Sequence, residues 1–260
     1  MKSAGDRERF SAALGAALMN DGRGFHGSVG TQNEKLIHAV LKNYYAPYSD
    51  EQEIRIGSFF ADAVSEDGIF EIQTKALYRL KDKLRVFSEH SRVTVVHPVI
   101  GEYRTLFVCE DSGEIADESA PRRQYSKLKI FEELYSIREF LNEENLSIIL
   151  VRLKTEKRVY FRGEKIPDMR NRAARKRCLI KQVPLEITEE LRLDMPRDYA
   201  VFLPEGLPER FTKKQLCAAA KESRSSLRTE VLRTVGLIRR VGEVGREFLY
   251  EVNEKERTIW

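Results

Sequence analysis

Four polar residues stand close together in a part of the chain that is otherwise apolar. Asp62 lies within "FFADAV", and Glu71, Gln73 and Lys75 follow within "GIFEIQTK", residues 68–75. Carboxylates that converge on neighbouring strands can hold a hard divalent cation such as magnesium through oxygen ligands. Because such a cation lowers the pKa of bound water and stabilises charge on a phosphodiester, these residue types predict phosphodiester hydrolysis.

A tight hairpin is expected to bring three of these side chains together. Alternation in "EIRIG", "FFADAV" and "IFEIQ" predicts strands, and "SEDG" predicts a turn. A turn at residues 66–67 places Asp62 opposite Glu71. A turn at residues 67–68 places Asp62 opposite Gln73 instead. Since opposed residues of an antiparallel pair share one face, either register places the polar side chains in one cluster. The alternative is that these residues are merely the exposed side of an edge hairpin.

Helices and strands alternate around this hairpin. Apolar residues at helical spacing predict a helix over residues 33–45, with Asn33 as its cap and Glu34 in its first turn. An amphipathic helix over residues 77–87 leads into the buried strand "VTVVHPVI". The strand "YRTLFVCE", a helix over residues 125–141 and the strand "LSIILVRL" follow. We therefore expect an α/β fold.

The C-terminal part of the chain has the elements of a small module. Thr212 and Gln215 have the spacing of a capping box, which predicts the start of a short helix. Ser223 can cap a second helix, and Gly236 is placed to end it. Two strands joined by a turn follow within residues 237–252. Helix, turn, helix and hairpin in this order predict a winged helix-turn-helix.

Length and charge allow for two folded parts. The 260 residues suffice for a main domain and a smaller module. We expect an arm or loop over residues 1–30, a main domain over 31–195 and the winged helix over 196–260. Forty-five Lys and Arg against 41 Asp and Glu give a net charge of +4. This excess favours anionic partners only where the cations cluster.

Several classes of protein are excluded by composition. The cysteines are far apart and form no C-x-x-C pair, which argues against a disulfide framework or a cysteine zinc site. The four histidines lack a metal-binding spacing, so each is expected to be a surface or core residue. No apolar stretch approaches the roughly 18 residues of a membrane span, and no secretory signal is evident. We expect a soluble, cytoplasmic protein.

The order of helix, acid-bearing hairpin, helix and strand resembles the PD-(D/E)XK nuclease superfamily over about residues 31–155. The resemblance implies a restriction-endonuclease-like α/β/α core with a mixed sheet. It further implies that Asp62 and Glu71 bind Mg²⁺ or Mn²⁺ and that the backbone carbonyl of Ile72 faces the metal. Glu34 resembles the helical acid that many members add. The implied activity is endonucleolytic hydrolysis of DNA.

Gln73 departs from this pattern, because members of the superfamily usually carry lysine there. Glutamine offers dipoles and hydrogen bonds but no charge for the attacking water or the transition state. Lys75 could bring an ammonium close by if the strand continues that far, or it could be a surface lysine. A catalytically silent DNA-binding regulator and a protein adaptor are therefore alternatives to the enzyme. Residues 109–141 also resemble an uncharacterised bacterial and phage set in which such a core precedes a winged helix.

Clusters of basic residues offer phosphate contacts to DNA. The first group lies at the start of the helix predicted over residues 125–141 and comprises Arg122, Arg123 and Lys127. The second comprises Arg170, Arg172, Arg175, Lys176 and Arg177, which could equally be a solvated helix face. In the winged helix, the predicted contacts are Arg224, Ser225 and Arg228 on the second helix and Arg246 on the wing. A cut through both strands would require two sites, and hence a homodimer.

Overall fold

The computed structural model describes residues 3–21, 29–124, 129–220 and 226–253. Its helices are α1 (Ala4–Asp21), α2 (Val29–Tyr45), α3 (Lys81–Ser88), α4 (Lys129–Ser136), α5 (Arg172–Lys176), α6 (Lys213–Ala219) and α7 (Ser226–Thr234). Its strands are β1 (Gln52–Ile56), β2 (Phe59–Ser65), β3 (Gly68–Ile72), β4 (Val93–Cys109), β5 (Ile115–Glu118), β6 (Arg122–Arg123), β7 (Leu146–Phe161), β8 (Leu179–Leu193), β9 (Arg210–Thr212), β10 (Ile238–Val244) and β11 (Glu247–Val252). The expected α/β class is confirmed. No helix in these ranges is long and apolar enough to cross a membrane.

The chain divides into two compact units. The first consists of residues 1–74, 96–125 and 150–191. The second consists of residues 75–95, 126–149 and 192–260. The segment predicted as a C-terminal module thus belongs to a unit that also includes two earlier parts of the chain.

A mixed sheet forms the framework of the first unit. Its strand order is β1-β2-β3-β4-β7-β8, and the short strands β5 and β6 both pair with β4. β4 is one long strand that joins the two strands predicted in "VTVVHPVI" and "YRTLFVCE". β8 was not predicted, because its mixture of apolar and charged residues has no regular period. Helix α2 packs on β2 and β3, and α1 packs on α2 through the edge-to-face pair of Phe10 and Tyr44.

The hairpin of β2 and β3 has one of the two predicted registers. Val64 faces Ile69 and Ser65 faces Gly68, so the turn consists of residues 66–67. The same register, continued towards the open end of the hairpin, sets Asp62 opposite Glu71.

Helix α2 begins earlier than the sequence predicted. It starts at Val29, so Asn33 is not its cap and Glu34 is not in its first turn. Residues 22–28 of the predicted N-terminal loop, and the side chain of Glu34, lie outside the described part of the structure. The early start adds a turn of helix before the segment that packs on the hairpin.

The C-terminal elements of the second unit have the predicted order. The Oγ1 atom of Thr212 accepts a hydrogen bond from the Gln215 backbone, and Gln215 Oε1 accepts one from the Thr212 backbone at 2.8 Å, which confirms the capping box. Gly236 follows α7 with φ of +82°, a conformation that glycine adopts without strain. The predicted cap Ser223 lies outside the described residues. Strands β10, β11 and β9 form a separate three-stranded sheet.

Glu251 joins the three strands of this small sheet. Its carboxylate pairs with Arg239 of β10 at 2.7 Å and with Arg210 of β9 at 3.2 Å, and only 6% of the residue is exposed. The hydrogen bond from Arg239, followed by that from Arg210, lowers the pKa of Glu251 below its ordinary value. The ionised carboxylate therefore stabilises the fold.

Replacing Glu251 should weaken the protein in a pH-dependent way. Because the folded pKa is depressed, the stabilisation is complete at neutral pH and is lost as the pH falls through that pKa. We expect Glu251→Gln to lower the melting temperature at neutral pH and to match the wild type in acid, as measured by circular dichroism. Glu247→Gln, on an exposed position of the same strand, is the control. If the melting temperature of Glu251→Gln stays below that of the wild type by the same amount in acid, this role of Glu251 is contradicted.

Candidate active site

β2 and β3 are held together at their open end by two acidic side chains. Their backbone pairing ends at Ala63 and Phe70. One residue further on, the backbone N–H of Asp62 donates to Glu71 Oε1 at 3.1 Å. The backbone N–H of Ile72 donates to Asp62 Oδ2 at 2.8 Å. Each acid thus accepts a hydrogen bond from the backbone of the opposite strand, which accords with one of the two predicted registers.

Burial makes this arrangement electrostatically demanding. Glu71 is 1% exposed, and the side chain of Asp62 is 14% exposed. Taking an ionised carboxylate out of water costs several kcal/mol unless hydrogen bonds or opposite charge offset the loss. The backbone hydrogen bonds to both carboxylates offset part of this cost.

The backbone N–H groups of Ile72 and Gln73 are directed to opposite sides. The N–H of Ile72 donates to Oδ2 of Asp62 in β2. The next residue is directed the other way, since the Gln73 N–H donates to the Val96 carbonyl at 3.0 Å. The Ile72 carbonyl as a metal ligand stays a prediction.

His38 contacts the acid pair and was missed in the sequence. Its Nε2 lies 3.1 Å from Asp62 Oδ2, and its side chain is 32% exposed. Because an ionised carboxylate only accepts hydrogen bonds, Nε2 carries the proton in this contact. The signal in the sequence was the spacing of four residues between Glu34 and His38, which is about one turn of the predicted helix.

Gln73 is fixed through its backbone. His97 Nδ1 donates to the Gln73 carbonyl at 2.7 Å, and His97 is 7% exposed, which confirms a core histidine. The side chain of Gln73 is half-buried. Gln73 stands at the position where the PD-(D/E)XK superfamily usually has lysine. It is uncharged and is held in place through its backbone.

Lys75 is not part of the strand, which ends at Ile72. It is exposed in the turn that follows, so of the two alternatives given for Lys75 the structure agrees with the surface lysine. The next residue, Ala76, has a left-handed φ of +56°. Glu133 holds this turn by accepting the backbone N–H groups of Ala76 at 3.2 Å and Leu77 at 2.8 Å.

The donors around the acid pair have the chemistry that magnesium prefers. Asp62 and Glu71 offer carboxylate oxygens. No group of three or more His, Cys, Asp or Glu side chains within the described ranges is arranged to hold a metal ion. Magnesium commonly uses only one or two protein carboxylates together with water and substrate phosphate, so two acids are compatible with it.

Arg122 and Arg123 are not at a helix N-terminus. They form β6, where Arg123 pairs with Glu102 and Arg122 with Tyr103, because the backbone there is extended against β4. Lys127 lies outside the described residues. The predicted cluster on and around α5 is exposed, as expected, and consists of Arg170, Arg172, Arg175, Lys176 and Arg177. Of these, Arg170 forms an ion pair with Asp168 at 3.0 Å.

Arg228 does not lie on an exposed helix face. It is 4% exposed, and its guanidinium lies over the ring of Phe131 at 5.3 Å from the centroid. Helix α7 packs against α4, and Val231 and Leu232 are fully buried. The prediction that Arg228 reads DNA is therefore wrong, because packing of α7 on α4 buries that side. Arg224 and Ser225 lie outside the described residues, and Arg246 is exposed in the turn of the last hairpin.

Comparison with known proteins gives two matches. Residues 35–194 match a family described as "Domain of unknown function (DUF8091)". The chain is also similar to an "Uncharacterized protein" of Treponema pallidum (strain Nichols), with 28% identity over 227 residues. That alignment covers 86% of this chain and 87% of the Treponema protein. No solved structure matches the chain. The acid pair Asp62 and Glu71 lies within the matched domain.

The contribution of the hydrogen bond from the Asp62 backbone N–H to Glu71 can be tested by measuring the stability of Glu71 variants. Glu71→Gln keeps an oxygen acceptor for the Asp62 N–H and removes a buried charge, so we expect unfolding free energy equal to or above that of the wild type. Glu71→Met has similar length but no such acceptor, and should lose about 1–3 kcal/mol. Urea denaturation measures both values. Equal stability of the two variants would show that the bond does not hold the strands.

Proposed function

Because the chain belongs to the family described as a domain of unknown function (DUF8091), we propose its function from the acid pair itself. The proposed activity is metal-dependent endonucleolytic hydrolysis of DNA. The proposed architecture is a restriction-endonuclease-like core of the PD-(D/E)XK kind, followed by a winged helix that binds DNA. The three cysteines of the chain are free thiols, which accords with the cytoplasmic location that we also propose.

One observation carries this proposal. Asp62 and Glu71 stand at opposed positions of the hairpin and are joined through each other's strand backbone, with 3.1 Å and 2.8 Å hydrogen bonds. Carboxylate oxygens are the ligands that Mg²⁺ prefers, and a cation bound there would offset part of the cost of burying two carboxylates. The placement of both acids on neighbouring strands therefore supports a cation site.

Asp62, Glu71 and the Ile72 carbonyl are the proposed ligands of Mg²⁺ or Mn²⁺, with Glu34 as an additional acid. A divalent cation supplies a lowered pKa for water and stabilisation of the charge that develops on a scissile phosphate. His38 holds Asp62 through its 3.1 Å contact and so fixes the orientation of that carboxylate. Gln73 can orient a water molecule through its amide group.

Exposed cations are proposed to gather the DNA. Arg172, Arg175, Lys176 and Arg177 are exposed in and beside α5, and Arg246 is exposed in the last hairpin. Contacts between such side chains and phosphates release counterions and bind DNA irrespective of sequence. A double-strand cut would require a homodimer with two acid pairs.

A second candidate is a DNA-binding regulator whose nuclease core is silent. It is favoured by the uncharged Gln73 at the position where lysine is usual. It also accords with the lack of a three-residue metal cluster in the described part of the chain. Binding of DNA without cleavage is the outcome that separates it from the enzyme.

Cleavage of supercoiled plasmid, linear duplex and single-stranded DNA in Mg²⁺ or Mn²⁺ tests the proposal. We expect nicking or linearisation by the wild type. Asp62→Asn and Glu71→Gln should each reduce the rate by about a hundredfold or more, since each removes a carboxylate that would hold the cation, and the cation would stabilise the charge of the transition state. A chelator should abolish cleavage.

Two controls sharpen this assay. Lys165→Gln removes an exposed charge to which no DNA contact is assigned and should leave the cleavage rate unchanged. Gln73→Lys supplies the missing ammonium and should raise the rate. Failure of the wild type and of Gln73→Lys to cut any DNA that they bind would contradict the enzyme and favour the silent regulator.

A further inference from the structure

A basic cleft lies in the first unit, formed by β4, β6, β7 and β8. Its volume is about 420 Å³, within the range of sites that take small ligands. Its walls include Gly101, Glu102, Arg123, Arg152, Lys154 and Glu186. None of these residues belongs to the acid pair or touches it in the contacts described above, so the cleft is a separate feature.

Strand periodicity places two of its cations. Arg152 and Lys154 alternate along β7 with Val151 and Leu153, which are both fully buried. Because successive side chains of a strand point to opposite faces, the two cations project away from the core and into the cleft. Arg123 enters from β6, whose pairing with β4 sets it beside Glu102.

Gly101 makes room for Arg152. A Cβ atom at position 101 would lie 2.7 Å from Arg152 Cγ and 2.9 Å from its Nε, closer than side chains approach. The arginine stem therefore lies directly across the Gly101 backbone. An alanine at this position would displace Arg152 without changing any charge.

The charges of the cleft are available to a ligand. Lys154 pairs with Glu102 at 3.5 Å and Arg152 with Glu189 at 2.9 Å, and all four side chains are at least one third exposed. Such exposed pairs contribute little to stability. The side chain of Arg123 is exposed and forms no hydrogen bond or ion pair with the other residues that the structure describes.

We propose that this cleft binds phosphate groups, held by Arg123, Arg152 and Lys154. Guanidinium groups bind phosphate through paired hydrogen bonds, and lysine adds a point charge. The phosphates can come from a nucleic-acid strand or from a free nucleotide. The proposal goes beyond the nuclease function and stands without it, because it needs neither metal nor cleavage.

Binding of a fluorescein-labelled single-stranded oligonucleotide, measured by anisotropy in a chelating buffer, tests the cleft. Arg123→Glu and Lys154→Glu should each weaken binding by about tenfold. Each should also reduce the salt dependence, by about 0.7 in the slope of log K against log salt. Competition by unlabelled ATP or by unlabelled oligonucleotide identifies the source of the phosphate. Circular dichroism confirms that the variants are folded.

Gly101→Ala provides a charge-neutral test. It should weaken binding severalfold through the displaced Arg152. Gly242→Ala, where a Cβ meets nothing within 4 Å, is the matched control and should bind as the wild type does. The proposal is overturned if the wild type binds neither probe, or if Arg123→Glu, Lys154→Glu and Gly101→Ala all bind both probes unchanged. Loss of cleavage by the acid-pair variants has no bearing on this result.

Discussion

The candidate site depends on the exchange of backbone hydrogen bonds for carboxylate hydrogen bonds at the open end of one hairpin. Up to Ala63 and Phe70, β2 and β3 pair through their backbones. At the next position both facing residues are acids, and each carboxylate accepts the N–H of the opposite strand. The strands thus remain satisfied in hydrogen bonding while two carboxylates are concentrated at one point. The carboxylate groups of Asp62 and Glu71 that accept these hydrogen bonds also carry the negative charge.

The elements around the hairpin reinforce this arrangement. Helix α2 packs on the hairpin and brings His38 to Asp62. Strand β4 holds Gln73, because the Gln73 N–H donates to the Val96 carbonyl and His97 donates to the Gln73 carbonyl. These contacts hold the acids and offset part of the desolvation cost of a buried carboxylate, which is several kcal/mol for each. A divalent cation would remove that cost, which links the stability of the site directly to its proposed chemistry. An oligonucleotide or another polyanion would then be attracted where the acids alone would repel it.

The sequence predicted the elements of the site better than its surroundings. Period-two alternation and a short turn were sufficient to predict that Asp62 shares a sheet face with Glu71 and Gln73, but they left open which of two turns sets the register. The partnership of His38 with Asp62 was missed because it joins distant elements, which local patterns do not encode. Arg228 was misjudged for a related reason: helical spacing shows which residues share a face, but not which neighbour buries that face. The sequence left two alternatives for Lys75, and the structure agrees with the surface lysine because the strand ends at Ile72.

A crystal grown or soaked with Mn²⁺ would test the central claim most directly, through the anomalous scattering of the ion. The account predicts an anomalous peak bonded to oxygens of Asp62 and Glu71, which disappears in the Asp62→Asn, Glu71→Gln double variant. Two carboxylates in well-defined density with no peak between them, under conditions in which Mn²⁺ is in excess, would contradict a metal site. The acids would then serve only to join the two strands.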